Sequence, residues 1–314
     1  MKYYQLAVLW VVLTLVSVSC GSQSDQKQLV ENAPYISIKL EDDTGRKLSL
    51  PSAPERIVSI APNITESIFA IGAGDMMVAR SQACDYPYEV ESIPPVTTYP
   101  ELDLEQIRAT EADLIVTTDE IFTQEDLDLL KVLDIPVYLQ SYEKLQDVYK
   151  GIRTLGKVLG KQEQANTLAD SLEELEGQII DSTQNEIKYS TLILISSDPL
   201  MVVGGTGFLN ELIEKAGGKN AFGSIKESYP TVTQEAILKA APEYLIIPGK
   251  RSQAYAELIN LYPALTNTPA DIQKQVYLVN PDLYFRPGPR MLDALLELTN
   301  ILHSKYTRSS FISP

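Results

Sequence analysis

The chain has 314 residues, 44% of them hydrophobic and 22% charged, enough for one large or two modest folded domains. Lys and Arg total 26 against 42 Asp and Glu, a formal charge of −16, and that field argues against a nucleic-acid partner. One histidine, His303, and two cysteines, Cys20 and Cys84, rule out most zinc sites, histidine-based nucleophile chemistry and a multi-disulfide framework.

An apolar run from Leu6 to Val18 follows Lys2 and ends in Ser19-Cys20-Gly21. It is short for a bilayer span and has the layout of a secretory leader. A small residue just before a cysteine resembles the lipobox of bacterial lipoproteins, with Cys20 as the lipidated mature N-terminus, although Ser17 stands where that pattern prefers Leu. The plainer alternative is an ordinary signal in which Cys20 is merely a small residue. The expected organisation is a leader at 1–19, a tether at 20–39, an α/β lobe at 40–140, a helical bridge at 141–185, a second α/β lobe at 186–308 and a tail at 309–314.

Within the first lobe, Arg56 to Asn63 reads as a short strand ending in turn chemistry, and Asn63-Ile-Thr-Glu66 has the spacing of a capping box before a helix that Gly72 to Gly74 stops. Strand-like runs at Met76–Ala79, Ala112–Thr118 and Ile135–Leu139, with a helical stretch at Gln124–Leu133, indicate parallel βα units. From Ser141 to about Ser182 the strand signal vanishes. Leu145, Val148, Ile152, Leu155 and Leu159 fall at helical steps, so a long helix or a helix pair joins the lobes. Strands resume at Tyr189–Ser196, Leu200–Gly204, Tyr244–Ile247 and Gln275–Val279, between helices at 208–216, 234–241, 252–260 and 289–304.

One internal repeat stands out. Glu105 precedes Asp113 by eight residues, Glu235 precedes Glu243 by eight, and an aromatic, Tyr99 or Tyr229, lies six before each glutamate. The ordered set predicts two related lobes, each presenting an equivalent helix start where the helix dipole favours an acid. Each glutamate read alone is equally consistent with a plain helix-start carboxylate.

Several segments together match a known family: Arg56-Ile-Val-Ser-Ile-Ala-Pro-Asn-Ile-Thr-Glu66, Cys84-Asp-Tyr-Pro87, Leu102-Asp-Leu-Glu105, Ala112-Asp-Leu-Ile-Val116, Gly217-Gly-Lys-Asn-Ala-Phe222 and Pro287-Gly-Pro-Arg290. In this order they resemble the iron-siderophore/cobalamin class of periplasmic substrate-binding proteins over residues 40 to 305, and Cys84 to Pro87 with Asp282 to Arg286 lean toward its cobalamin branch. The resemblance implies an α/β fold of two lobes bridged by a single long helix, with ligand in the cleft between them. It implies a monomeric receptor rather than an enzyme, without a cofactor of its own. Such a receptor delivers cobalamin to an ABC permease and its ATPase and meets the membrane through a lipid anchor. Carried over by position, Glu105 and Glu235 are the permease-docking acids. Ala83, Asp85, Tyr86, Tyr99, Tyr229, Asp282, Tyr284 and Arg286 are the ligand-site candidates.

A corrinoid is a large flat ring fringed by amides, which suits aromatic walls and a few orienting polar groups. The alternatives are tyrosines that are only half-buried surface aromatics, and an Asp282–Arg286 ion pair that is purely local. Cys84 reads as a buried thiol rather than a cobalt ligand, and His303 as a surface or packing residue. The same fold could carry haem or a ferric siderophore instead. A hydrolase or a ligand sensor is the reading from another class, yet the chain has no Gly-x-Ser-x-Gly elbow.

Overall fold

A computed structural model of the chain describes residues 38–249 and 253–303. The leader, Cys20 and nearly all of the tether fall outside the described residues, as does the tail. An antiparallel hairpin, β1 (Ile38–Glu41) and β2 (Lys47–Leu50), precedes the first lobe. It is pinned there by Asp43, which accepts from the Ser141 amide at 3.2 Å and pairs with Lys150 at 2.7 Å.

The first lobe is a five-stranded parallel sheet in the order β5 (Pro95–Val96), β4 (Met77–Ser81), β3 (Ile57–Ser59), β6 (Leu114–Thr118), β7 (Val137–Gln140). Its helices are α1 (Pro62–Ala70), α2 (Leu104–Ala109) and α3 (Gln124–Leu130). Successive strand residues point to opposite faces. Leu114 and Val116 of β6 therefore join a core with α1, whereas Ile115 joins a separate core with Ile107 of α2 and Leu127 and Leu130 of α3.

The bridge is a helix pair, α4 (Leu145–Val158) and α5 (Gln162–Thr183), packed on each other. The chain reverses at Gly160, whose φ of +68° is a conformation that a side chain disfavours. Of the two, only the 22-residue α5 has the length of a long strut, and it touches α6 (Phe208–Lys215) and α11 (Met291–His303) as well as α4.

The second lobe repeats the plan with strands β10 (Lys219–Asn220), β8 (Ser190–Ser197), β11 (Tyr244–Pro248) and β12 (Val276–Val279), all parallel, and β9 (Leu200–Val202) antiparallel to β8. Its outer core packs the sheet against α7 (Gln234–Ala240), α8 (Gln253–Leu261) and α9 (Pro269–Ile272), while α10 (Pro281–Tyr284) follows β12. The inner core is continuous through both lobes, running from Ile57, Ile64 and Ile68 through Leu145, Ile152 and Ile179 to Ile213, Ile246 and Leu295. A shared core of this kind resists wide hinge motion, because opening it would expose packed apolar surface.

The internal repeat is reproduced in detail. Asp113 accepts the Glu55 amide at 2.8 Å, and the Arg56 amide too, at the entry to β3; Glu243 accepts the Ser190 amide at 2.8 Å at the entry to β8. The side chains of Asp103 and Thr233 cap α2 and α7 in the same manner.

Candidate functional site

In parallel sheets, groups that bind ligands come from the segments beyond the carboxyl ends of the strands. In the first lobe β3 runs into Asn63 and Glu66 on α1, β4 into the loop carrying Ala83, Asp85 and Tyr86, β6 into Asp119 and Glu120, and β7 into Tyr142 and Glu143. In the second lobe β10 leads to Ser228 and Tyr229 and β12 to Asp282, Arg286 and Arg290, while Thr206 and Gly207 follow the antiparallel return strand β9, to which that rule does not apply. These segments meet between the lobes.

At one end of the cleft they form an ion-pair network. Glu66 is 3% exposed, and its carboxylate accepts two hydrogen bonds from Arg290, at 2.8 and 2.5 Å. Arg286 reaches Asp85 at 2.6 Å, Asp282 at 3.0 Å and Glu66 at 3.4 Å. The Arg290 guanidinium also lies 3.8 Å from the centroid of the Tyr86 ring, a cation–π contact. Asn63 donates to the Pro287 carbonyl at 3.1 Å. Burial works against the charge on both arginines, but the Asp85 partner of Arg286 and the Glu66 partner of Arg290 outweigh it and hold each pKa above the usual arginine value.

The expected capping box is absent for this reason. Ala61 occupies the N-cap of α1 without a side-chain cap, and Pro62 opens the helix. Asn63 and Glu66 are turned across the cleft instead.

The other end is open. A cavity of about 320 Å³ is lined by Glu120, Tyr142 and Glu143 from the first lobe and by Thr206, Gly207, Phe208, Ser228 and Tyr229 from the second. Burial pushes the Tyr229 hydroxyl up to about 12, with the Glu120 charge adding to it. Burial also raises the Glu120 carboxyl above its ordinary value, helped by the neighbouring charge of Asp119. Tyr229 is held in place by backbone contacts, since the Gly204 amide donates to the Ser228 carbonyl at 2.9 Å and the Val202 amide to the Pro230 carbonyl at 3.2 Å. A side chain at Gly204 would put Cβ 2.1 Å from the Glu227 carbonyl oxygen, so the two segments approach this closely only through glycine.

The predicted residues divide accordingly. Asp85, Tyr86, Asp282 and Arg286 come together in the ion-paired end, so the last two are not merely a local pair. Tyr229, 38% exposed, walls the cavity, and Ala83 is exposed on the β4 loop. Tyr99 is 83% exposed between β5 and α2 and does not line the cavity.

Tyr284 is a correction. Its side chain is 0% exposed within the inner core, because α10 turns it toward α11, and it presents no surface to a ligand. Cys84 likewise points inward, with Sγ 3.1 Å from the Thr65 hydroxyl and 3.3 Å from that of Ser81, and burial pushes its thiol up. His303 is buried, its Nε2 3.0 Å from the Ala216 carbonyl. Glu105 and Glu235 are exposed, each the second residue of its helix, and amides of the helix start hold the Glu235 carboxyl below its usual value. The residues not anticipated are Glu66 and Arg290, whose motifs were visible but whose pairing was not, and Glu120 and Glu143, which carried no motif at all.

No group of side chains among the described residues is arranged to hold a metal ion, and none of their helices is long and apolar enough to cross a membrane. A family model described as periplasmic binding protein matches residues 57–283. The vitamin B12-binding protein of Vibrio parahaemolyticus is 29% identical over 259 residues, spanning 80% of this chain and 90% of that protein. A solved periplasmic heme-binding protein from a Roseiflexus species is 25% identical with a TM-score of 0.72, over 80% of this chain and 98% of its own. The solved periplasmic vitamin B12-binding protein of Vibrio cholerae, 24% identical, has the same fold, with a TM-score of 0.70 over 81% of this chain and 99% of its own. Matched through both of its lobes, this chain belongs to the periplasmic binding protein family, an exported class of two-lobed binding proteins.

Proposed function

We propose that this protein is the substrate-binding component of an ABC importer, which captures a corrinoid between its lobes and delivers it to the permease without catalysing a reaction on it. The composition of the cleft carries this reading. Tyr86 and Tyr229 offer flat aromatic area, one from each lobe, and the two arginines of the ion-paired end already have carboxylate partners. A flat, amide-fringed ring needs aromatic area and neutral hydrogen-bonding groups more than it needs cations. The similarity to a vitamin B12-binding protein, running through both lobes, supports the same cargo. The cavity beside Tyr229 would take one edge of the ring, with the remainder toward Tyr86. The protein acts as a monomer, tethered to the membrane by lipid on Cys20, and Glu105 and Glu235 dock to the permease.

Haem is the second reading. Its iron can take a tyrosine ligand, two cleft tyrosines, Tyr86 and Tyr229, are exposed, and a solved relative is a periplasmic heme-binding protein. Calorimetric titration of the purified full-length chain with cyanocobalamin and with haemin decides between them. One-to-one cyanocobalamin binding that weakens at least tenfold, by estimate about 1.4 kcal/mol, on Tyr229→Ala is the expected result. Binding of haemin alone would transfer the cargo to haem. Charge reversal at both Glu105 and Glu235 should abolish uptake in cells while leaving that titration unchanged.

A further inference from the structure

The cleft is unevenly charged. At the ion-paired end the carboxylates of Glu66, Asp85 and Asp282 face the guanidiniums of Arg286 and Arg290, so that end has no cationic surplus. At the open end two carboxylates, Glu120 and Glu143, line the cavity, Asp119 stands beside Glu120, and no lining residue is Lys or Arg. Helix α6 starts at the cavity, at Gly207 and Phe208, and its partial positive end is smaller than the two full negative charges that share the cavity with it. Any ligand seated here meets a net negative wall in a partly desolvated space, where charges act more strongly than in water.

We propose that Glu120 is a specificity-determining residue of this cleft: its carboxylate, reinforced by Glu143, repels anionic metal chelates and accepts hydrogen bonds from the amide or water donors of a neutral or cationic ligand. This rests on the cleft being the ligand site, as argued above, and adds the charge class of the ligand. Tyr229 shares the cavity with Glu120, close enough for the carboxylate to act on the phenol, so a ligand edge on the tyrosine lies within reach of the charge.

The test compares the wild-type full-length chain with Glu120→Gln and Glu120→Lys against three probes: aquocobinamide, a cation; cyanocobalamin, neutral overall; and haemin, whose propionates are anionic. The expected result is haemin affinity rising on the order of tenfold in Glu120→Gln and further in Glu120→Lys, while aquocobinamide affinity falls by a similar factor and cyanocobalamin stays nearly constant. Raising the salt concentration should narrow the wild-type preference for the cation and have less effect on that of Glu120→Gln. Glu143→Gln should shift the haemin-to-aquocobinamide ratio in the same direction, which guards against local distortion in any one variant. A ratio that none of these variants moves overturns the proposal, as does haemin that binds none of the proteins. If neither corrinoid binds the wild type, the corrinoid reading fails separately, and the response of haemin to the variants still decides the role of Glu120.

Discussion

At one end of the cleft, charged residues of the two lobes are joined to each other; at the other, acids of the first lobe share an open cavity with a tyrosine of the second. Glu66 is almost wholly buried, and its carboxylate is used up by Arg290 and Arg286. Glu120 remains exposed to the cleft, with no cation lining the cavity beside it. The difference teaches a division of labour. Charges that satisfy one another set the distance between the lobes but have little left to offer a ligand, whereas an uncompensated acid is poor structural material and a strong discriminator.

The largest effect should come from breaking the paired end. Glu66→Ala removes the acid that bridges two arginines whose side chains are only 15% and 19% exposed. Leaving such charges without their shared partner should cost about 3–5 kcal/mol, read as a loss of unfolding free energy in urea. Mutating Arg290 to Met in the same background should recover part of that loss, because it removes one of the stranded charges. If Glu66→Ala unfolds at the wild-type midpoint, the paired end adds nothing to the hold that the shared core already has on the two lobes.

A smaller and more local loss is expected at the open end from Gly204→Ala. The new methyl would meet the Glu227 carbonyl and the Pro230 ring, so the segment carrying Tyr229 must shift. Overpacking of this kind costs about 1–3 kcal/mol. Ligand affinity should fall with it, since the tyrosine wall moves, while the Glu66–Arg290 pair at the far end is untouched. An alanine variant with wild-type affinity would show that Tyr229 does not contribute to the site.

These contrasts also explain what could be read in the sequence. Apolar periodicity placed β6, β7, β8, β11 and α4, because those elements are defined by which face they bury, and burial leaves a pattern. The repeat of Glu105 with Asp113 and Glu235 with Glu243 was legible because both lobes use it in the same way: Asp113 and Glu243 each accept a backbone amide at the entry to a strand of their own lobe, and each glutamate is the second residue of its helix. Asn63 and Glu66 were misread as a cap for the opposite reason. Their partners, Pro287 and Arg290, lie more than 220 residues away in the chain, and local spacing is the same whether a carboxylate turns back to its helix or across a cleft. Tyr284 is a ligand candidate only through the resemblance of the segment Asp282 to Arg286, and one turn of α10 is enough to send it to the core. Glu120 sits in a loop after β6 where an acid is unremarkable, and only the arrival of Tyr229 from the other lobe gives it significance.

The same replacement, Glu to Gln, should therefore have opposite signs at the two ends. Glu66→Gln weakens two ion pairs and must destabilise at neutral pH. Glu120 behaves the other way, because the cleft raises its folded pKa above the unfolded value, burial being the larger cause and Asp119 the lesser. A raised carboxyl pKa means that the group's contribution to stability is fully present below its ordinary value and is lost as pH rises through the folded pKa. Glutamine carries no such loss. Glu120→Gln should match the wild type in strong acid and gain on it as pH climbs through that window, by less than about 1 kcal/mol for a group that solvent still reaches. Thermal melts of both variants across the acid range test this directly. Melting temperatures that fall in both variants at neutral pH would mean that Glu120 is held by a favourable partner after all, and would erase the distinction between a paired end and a discriminating one.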